Sequence, residues 1–240
     1  MVLVATVAFF VYQKSLPSER EVTLEQEKSA LPDVVSQSPE SKSPTLENQP
    51  LPEEYNLDVP FTSQTPLGNW DEVHEETCEE AAILMVERYY SGKSIESADE
   101  ADRKLLNIVA WQNDNFGYFK STTAQETVKM MKEIYGIAGE MVENPSIEQI
   151  KRSVFENKLV IVPAAGRELG NPFYTQPGPL YHMLVIKGYT KTQFITNDPG
   201  TRRGANYPYD FDTLLDANHD WNGGDVANGA RVMIVVKEDS

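Results

Sequence analysis

The chain is poor in the side chains that most often carry chemistry. Its 240 residues include one cysteine, Cys78, and three histidines, His74, His182 and His219. A lone cysteine cannot form an intrachain disulfide, and a zinc site built on one thiolate would need several further ligands. It is compatible with either redox compartment. No metal or other cofactor is expected. Basic residues are also scarce. Lys and Arg number 21 against 37 Asp and Glu, giving a formal charge of −16. Such a surface repels phosphate backbones, and no Lys/Arg cluster offsets it, so nucleic acid is not an expected partner. There is no internal repeat, and no apolar run reaches the ~20 residues of a typical membrane span.

What is present divides the chain in three. Residues 1–12 are almost wholly apolar, without a basic leading segment or a small-x-small cleavage site. They read as the tail of a membrane anchor or signal segment, and so as a possible membrane tether. Residues 13–54 are rich in Ser, Pro, Glu, Gln and Lys and nearly free of aromatics, a composition that cannot bury enough apolar surface to fold alone. Aromatics, glycines and periodic apolar positions begin near Tyr55, so residues 55–240 form the folded domain, a size suited to one core. A tether followed by a polar spacer implies an extracytoplasmic location, membrane-anchored or secreted.

Within that domain the periodicity predicts helices first and strands later. Thr77-Cys78-Glu79-Glu80 fits a capping box, which makes Cys78 the first residue of a helix. Ala82, Met85, Val86 and Tyr89 form its buried stripe, Glu80, Glu87, Arg88 and Ser91 its wet side, and Gly92 its stop. Further helices are expected over 98–110, 123–135 and 146–157, the last opened by a second capping box, Ser146-x-x-Gln149. Strands are expected over 159–163, 183–187, 193–196 and 231–237. Residues 165–180 read as a long loop of the kind that often forms a rim or lid. The order of elements implies an α+β fold with an antiparallel sheet.

A thiol at a helix N-terminus is placed to be a nucleophile, because the helix dipole and free N–H groups favour the thiolate. A cysteine hydrolase also needs a base, and a group to hold that base in the right tautomer. His182 begins a strand, and the following turn is centred near Thr190. Residues whose numbers sum to about 380 then oppose each other in the hairpin, which puts Asp198 opposite His182 on one face. Asn197 would point the other way unless a bulge intervenes.

These residues carry a resemblance. Val59-Pro60-Phe61-x-x-Gln64, Trp70, Cys78 at the head of an Ala-rich helix with Met85 and Tyr89-Tyr90, Tyr181-His182-Met183-Leu184-Val185-Ile186-Lys187-Gly188-Tyr189 and Asn197-Asp198-Pro199 resemble the papain-like cysteine peptidases related to bacterial double-glycine leader peptidases, the C39-like peptidases. The resemblance spans about residues 57–236. It implies a papain-like fold in which a helical half carrying the nucleophile packs on an antiparallel sheet carrying His and Asp. It implies catalysis by Cys78, His182 and Asp198, with Gln64 in the oxyanion hole, a thioester intermediate and a peptide or protein substrate. An amidase or acyl transferase acting on cell-wall peptides through the same triad, or a catalytically inactive binding module, are the alternatives. Where this family usually has Gly or another small residue after the nucleophile, this chain has Glu79 and then Glu80. Two carboxylates beside the thiol oppose thiolate formation but suit the helix dipole. With Glu72, Glu75 and Glu76 they are expected to form a solvated acidic rim, the alternative being a run that selects a basic substrate.

Trp70 is expected in a substrate groove or the core, and Trp111 in the core. Arg167, Asn171 and Tyr174 in the long loop are candidate substrate contacts. His74 reads as a surface histidine. His219 lies in an Asp/Asn/Asp-rich stretch whose sixth and twelfth positions, Trp221 and Ala227, do not suit a calcium loop. It reads as a polar turn with Trp221 packed on the core.

Overall fold

The computed structural model describes Leu46 and residues 49–237. The apolar residues 1–12 and most of the expected linker lie outside the described residues. The described end of that linker lies against the domain. Arg152 donates to the carbonyls of Leu46 and Gln49 at 3.2 and 2.7 Å, and Lys191 pairs with Glu53 at 2.9 Å. No helix among the described residues is long and apolar enough to cross a membrane.

The expected α+β order holds. Three helices come first: α1 (Cys78–Tyr90), α2 (Ala98–Asn115) and α3 (Ala124–Tyr135). Strands β3 (Val160–Ala165), β4 (Tyr181–Tyr189), β5 (Gln193–Asn197), β6 (Tyr207–Asp210) and β7 (Val232–Lys237) come later. Short β1 (Tyr55–Asn56), edge strand β2 (Ala138–Glu143), α4 (Ile147–Phe155) and α5 (Phe211–Ala217) complete the domain. The seven strands form one antiparallel sheet in the order β2-β7-β3-β4-β5-β6, with β1 paired to β4.

Local chemistry sets most boundaries. Thr123 and Ser146 each accept from the backbone three residues on, and Glu126 and Gln149 return the bond, so α3 and α4 open with complete capping boxes. Gly136 closes α3 in the left-handed conformation at φ 73°. The central strands β3 and β4 are buried along their whole length, which explains their unbroken apolar runs. Helix α1 packs chiefly on β4. It is buried nearly all round, and this overturns part of the expected polar face. Arg88, Glu79 and Glu80 are buried, not wet.

The capping box expected at Thr77 is not formed. A 3-10 turn over His74–Glu76 runs straight into α1 and leaves Thr77 at φ −100°, ψ 32°, outside the extended backbone an N-cap needs. The Thr77 hydroxyl instead donates to the Gln64 carbonyl at 2.9 Å.

Candidate active site

Cys78 opens α1 as expected, and it is buried. The segment before it is fastened from several sides. The Gln64 amide donates to the carbonyls of His74 and Glu75 at 2.9 and 3.0 Å, and the Gln64 N–H donates to Pro199 O at 2.8 Å. Gln64 therefore ties the turn leading into the nucleophile to the turn that follows Asp198. Both of its amide N–H groups are engaged, so in this arrangement it acts on the site by positioning.

His74 is not a surface histidine. It is buried between carboxylates, with Nδ1 2.7 Å from Asp71 Oδ1 and Nε2 2.9 Å from Asp102 Oδ1 on α2. It pins the loop before Cys78 to that helix.

His182 and Asp198 come together as expected, and both are fully buried. His182 Nε2 lies 2.8 Å from Asp198 Oδ1. The register that brings them there differs from the expected one. Val185 pairs with Asn197 and Ile186 with Thr196, a slip of two residues, and a bulge follows between Ile186 and Gly188. A slip of two keeps the same face, where a slip of one would have reversed it. Asp198 sits just past the last β5 pair, and its N–H donates to Gly204 O at 3.0 Å. Asn197 turns away and donates to the Val59 carbonyl at 3.1 Å.

Asp198 is saturated with donors. Oδ1 also accepts from Gly200 N at 2.9 Å, and Oδ2 accepts from Asn171 at 3.0 Å, Tyr174 at 2.7 Å and Tyr209 at 2.6 Å. Burial alone would raise its pKa. The His182 charge and the hydrogen bonds from His182, Tyr209 and Tyr174 outweigh that and hold it at about 2. The carboxylate thus stays ionised and fixes the ring through Nε2. His182 Nδ1 is buried and has no hydrogen-bond partner.

The thiol itself is turned elsewhere. Cys78 Sγ donates to Glu79 Oε2 at 3.0 Å, while Glu79 Oε1 accepts from Thr122 N at 2.9 Å. Burial pushes the Cys78 pKa well up, and the charges of Glu79 and Glu80 push it further. A hydrogen bond from the Met183 N–H, next to His182, works the other way. Glu79 is itself raised to about 7 by burial, against the lowering effect of the Cys78 and Thr122 bonds. Glu80 is raised by burial and by the charge of Glu79, and neither of its oxygens has a hydrogen-bond partner. Gln112 of α2, whose amide atoms are also unpartnered, sits against it. Glu80 is raised the further of the two, so it is the member of the pair that this interior keeps protonated.

Two pockets adjoin the site. One, of about 690 Å³, is walled by Gln64, Trp70, Tyr174, Tyr181 and Gly200 among others. The second, of about 420 Å³, shares Trp70, Thr175 and Gly200 with it. Trp70 is half exposed on their common wall, as a substrate-groove residue would be. Tyr174 faces the larger pocket and holds Asp198. Arg167 forms part of neither wall, and its Nε reaches only the Gly178 carbonyl at 3.5 Å.

The peptidase C39-like family matches residues 56–223 of the chain. The chain belongs to this family. Its fold is also similar to a crystal structure from Bacillus anthracis described as that of a candidate C39-like peptidase. That likeness has a TM-score of 0.51 at 14% identity and covers 79% of this chain and 100% of the other. No functionally curated protein matches the chain.

In this C39-like protein the support around Asp198 is what the sequence reading missed. Asn171 was expected to meet substrate, and it donates to Asp198 and to Tyr209 instead. Tyr209 gave no signal, because β6, which carries it, is only four residues long. Asp220 is likewise buried. It accepts from Ala124 N at the start of α3 and lies 3.0 Å from the Tyr181 hydroxyl, so the stretch around His219 serves the fold. Trp221 packs on Tyr181 there. No group of three metal-binding side chains stands together among the described residues.

Proposed function

We propose that this chain is a cysteine peptidase that hydrolyses peptide bonds through Cys78, His182 and Asp198. The observation that carries the reading is the buried His182–Asp198 pair at 2.8 Å, whose remaining ring nitrogen, Nδ1, is unpartnered in a domain whose nucleophile candidate begins the adjoining helix. On substrate binding the Cys78 side chain turns from Glu79 and passes its proton to His182 Nδ1. The thiolate adds to the scissile carbonyl. The oxyanion is held by the Cys78 N–H at the helix start and by Gln64, once its amide turns from the His74 and Glu75 carbonyls. The imidazolium then protonates the leaving amine, and a thioester forms. Water adds to the thioester as His182 takes its proton, and the second product leaves with Cys78 restored.

Asp198 orients the ring and stabilises the imidazolium without reacting. The same reading puts the enzyme outside the cytoplasmic membrane, tethered or released, on the strength of residues 1–12 and the polar linker.

One observation favours a second reading, an inactive binding module: the thiol is bonded to Glu79 and not to His182. Acid-quenched mixtures of the protein with a peptide library separate the two. A peptidase gives a Cys78 adduct of acyl mass in the intact-mass spectrum, and the adduct disappears in Cys78→Ala. A binding module gives none.

A further inference from the structure

The two pockets meet at Gly200, behind which the His182 ring is buried. Gly200 belongs to both walls, and a Cβ there would come within 2.9 Å of His182 Cε1 and 2.8 Å of Tyr174 Cε1. A chain lying along both pockets passes over Gly200, which packs on the His182 ring.

The pockets carry opposite charge. Among the described residues, the only ionic side chains on the wall of the larger are Glu75 and Glu76. Lys120 is paired with Glu72 at 3.0 Å and is not on that wall. Among the described residues, the only ionic side chains on the wall of the smaller are Arg202 and Arg203. Both guanidinium groups are held in place by packing. Arg202 lies over Gly68, where a Cβ would collide with it, and Arg203 lies 4.7 Å from the centre of the Phe173 ring. Among the described residues, the arginines in ion pairs are Arg88, Arg152 and Arg231. Arg202 and Arg203 thus present positioned, unneutralised charge to one end of the groove in a chain whose net charge is −16.

We infer that the groove selects a peptide carrying a cationic group on one side of the scissile bond and a carboxylate on the other, the first facing Glu75 and Glu76 and the second facing Arg202 and Arg203. Trp70, on the wall between the pockets, covers the apolar stretch of backbone in between. This inference rests on the proposed peptidase site and names the substrate class it takes.

The test reads binding, so that it does not depend on turnover. Fluorescent octapeptides with an Ala/Gly centre are titrated into the full chain bearing Cys78→Ala. They carry Lys and Glu on opposite sides in both orders, Lys with Gln, Gln with Glu, or Gln on both sides. One Lys/Glu order should bind at least about tenfold tighter than the uncharged peptide, and salt should erode the difference. Glu75→Gln with Glu76→Gln should remove the gain due to Lys only. Arg202→Gln with Arg203→Gln should remove the gain due to the carboxylate only. Moving that carboxylate from a side chain to the free C-terminus tells which source the arginines prefer. Equal binding of charged and uncharged peptides, or gains that survive both double variants, would overturn the inference. Charge-selective binding without hydrolysis by the wild-type chain would remove the peptidase reading alone. Hydrolysis without charge selectivity would remove this inference alone.

Discussion

The Cys78 thiol gives its hydrogen bond to Glu79, the next residue in the chain, at 3.0 Å. A carboxylate in that position holds the proton on sulfur, and burial acts in the same direction. The resting thiol is therefore a poor nucleophile toward a small reagent. Glu79→Gln removes the negative charge, keeps an acceptor and lowers the thiol pKa. Alkylation of Cys78 by iodoacetamide at pH 7 should be slow in the wild-type chain and on the order of tenfold faster in Glu79→Gln. An unchanged rate would show that Glu79 does not restrain the sulfur.

The buried acids also set how stability depends on pH. Asp198 has its pKa lowered from 3.8 to about 2, so its contribution is complete above 3.8 and is lost as pH falls through 2. Glu79 is raised from 4.5 to about 7, so its contribution is complete below 4.5 and is lost as pH rises through 7. Glu80 is shifted in the same direction as Glu79. Thermal melts across pH should give the highest Tm near the interval between those two ordinary values, with a fall toward pH 8. Glu79→Gln should flatten that fall and leave the acid limb in place.

Tyr209 donates to Asp198 Oδ2 at 2.6 Å from a buried position. Tyr209→Phe removes a hydrogen bond to a charged group, a loss of about 1.5–3 kcal/mol. Denaturant unfolding should show that loss at pH 7 and a smaller one near pH 2, where Asp198 takes up its proton. Peptide hydrolysis should slow without vanishing, because Asn171 and Tyr174 still hold the carboxylate.

Gly200→Ala would place a methyl group against His182 and Tyr174, each closer than 3 Å. The ring must move off Asp198, or the turn must open. Hydrolysis should drop at least about tenfold, with a stability cost of about 1–3 kcal/mol from overpacking. Full activity in this variant would mean that the His182 position is not critical.

The residue types of the site were legible in the sequence, and their surroundings were not. The apolar stripe placed a helix here, with its start at Cys78 read from a capping box that is not formed, and the strand–turn–strand pattern put His182 and Asp198 on one hairpin. The hairpin register was two residues off because the turn lies beyond Thr190, with Tyr189 paired to Phe194, and the bulge beside Lys187 takes back only one residue of that offset. Glu79 and Glu80 were assigned to a wet rim because charge on a helix usually faces water. Here α1 is enclosed nearly all round, and its first turn is inserted into the interior. Asn171 and Tyr209 reach Asp198 from a long loop and from a four-residue strand, contacts that depend on tertiary arrangement alone. Edge strand β2 was missed because Gly139, Glu140 and Glu143 are poor strand formers, and pairing with β7 decides their conformation.

The most direct measurement is the rate of peptide-library cleavage by the wild-type chain, Cys78→Ala and His182→Ala under one set of conditions. The account predicts cleavage by the wild type and a loss of at least about a thousandfold in each variant, with their folds intact by circular dichroism. Cleavage by Cys78→Ala at the wild-type rate, or no cleavage by the wild type, would contradict it.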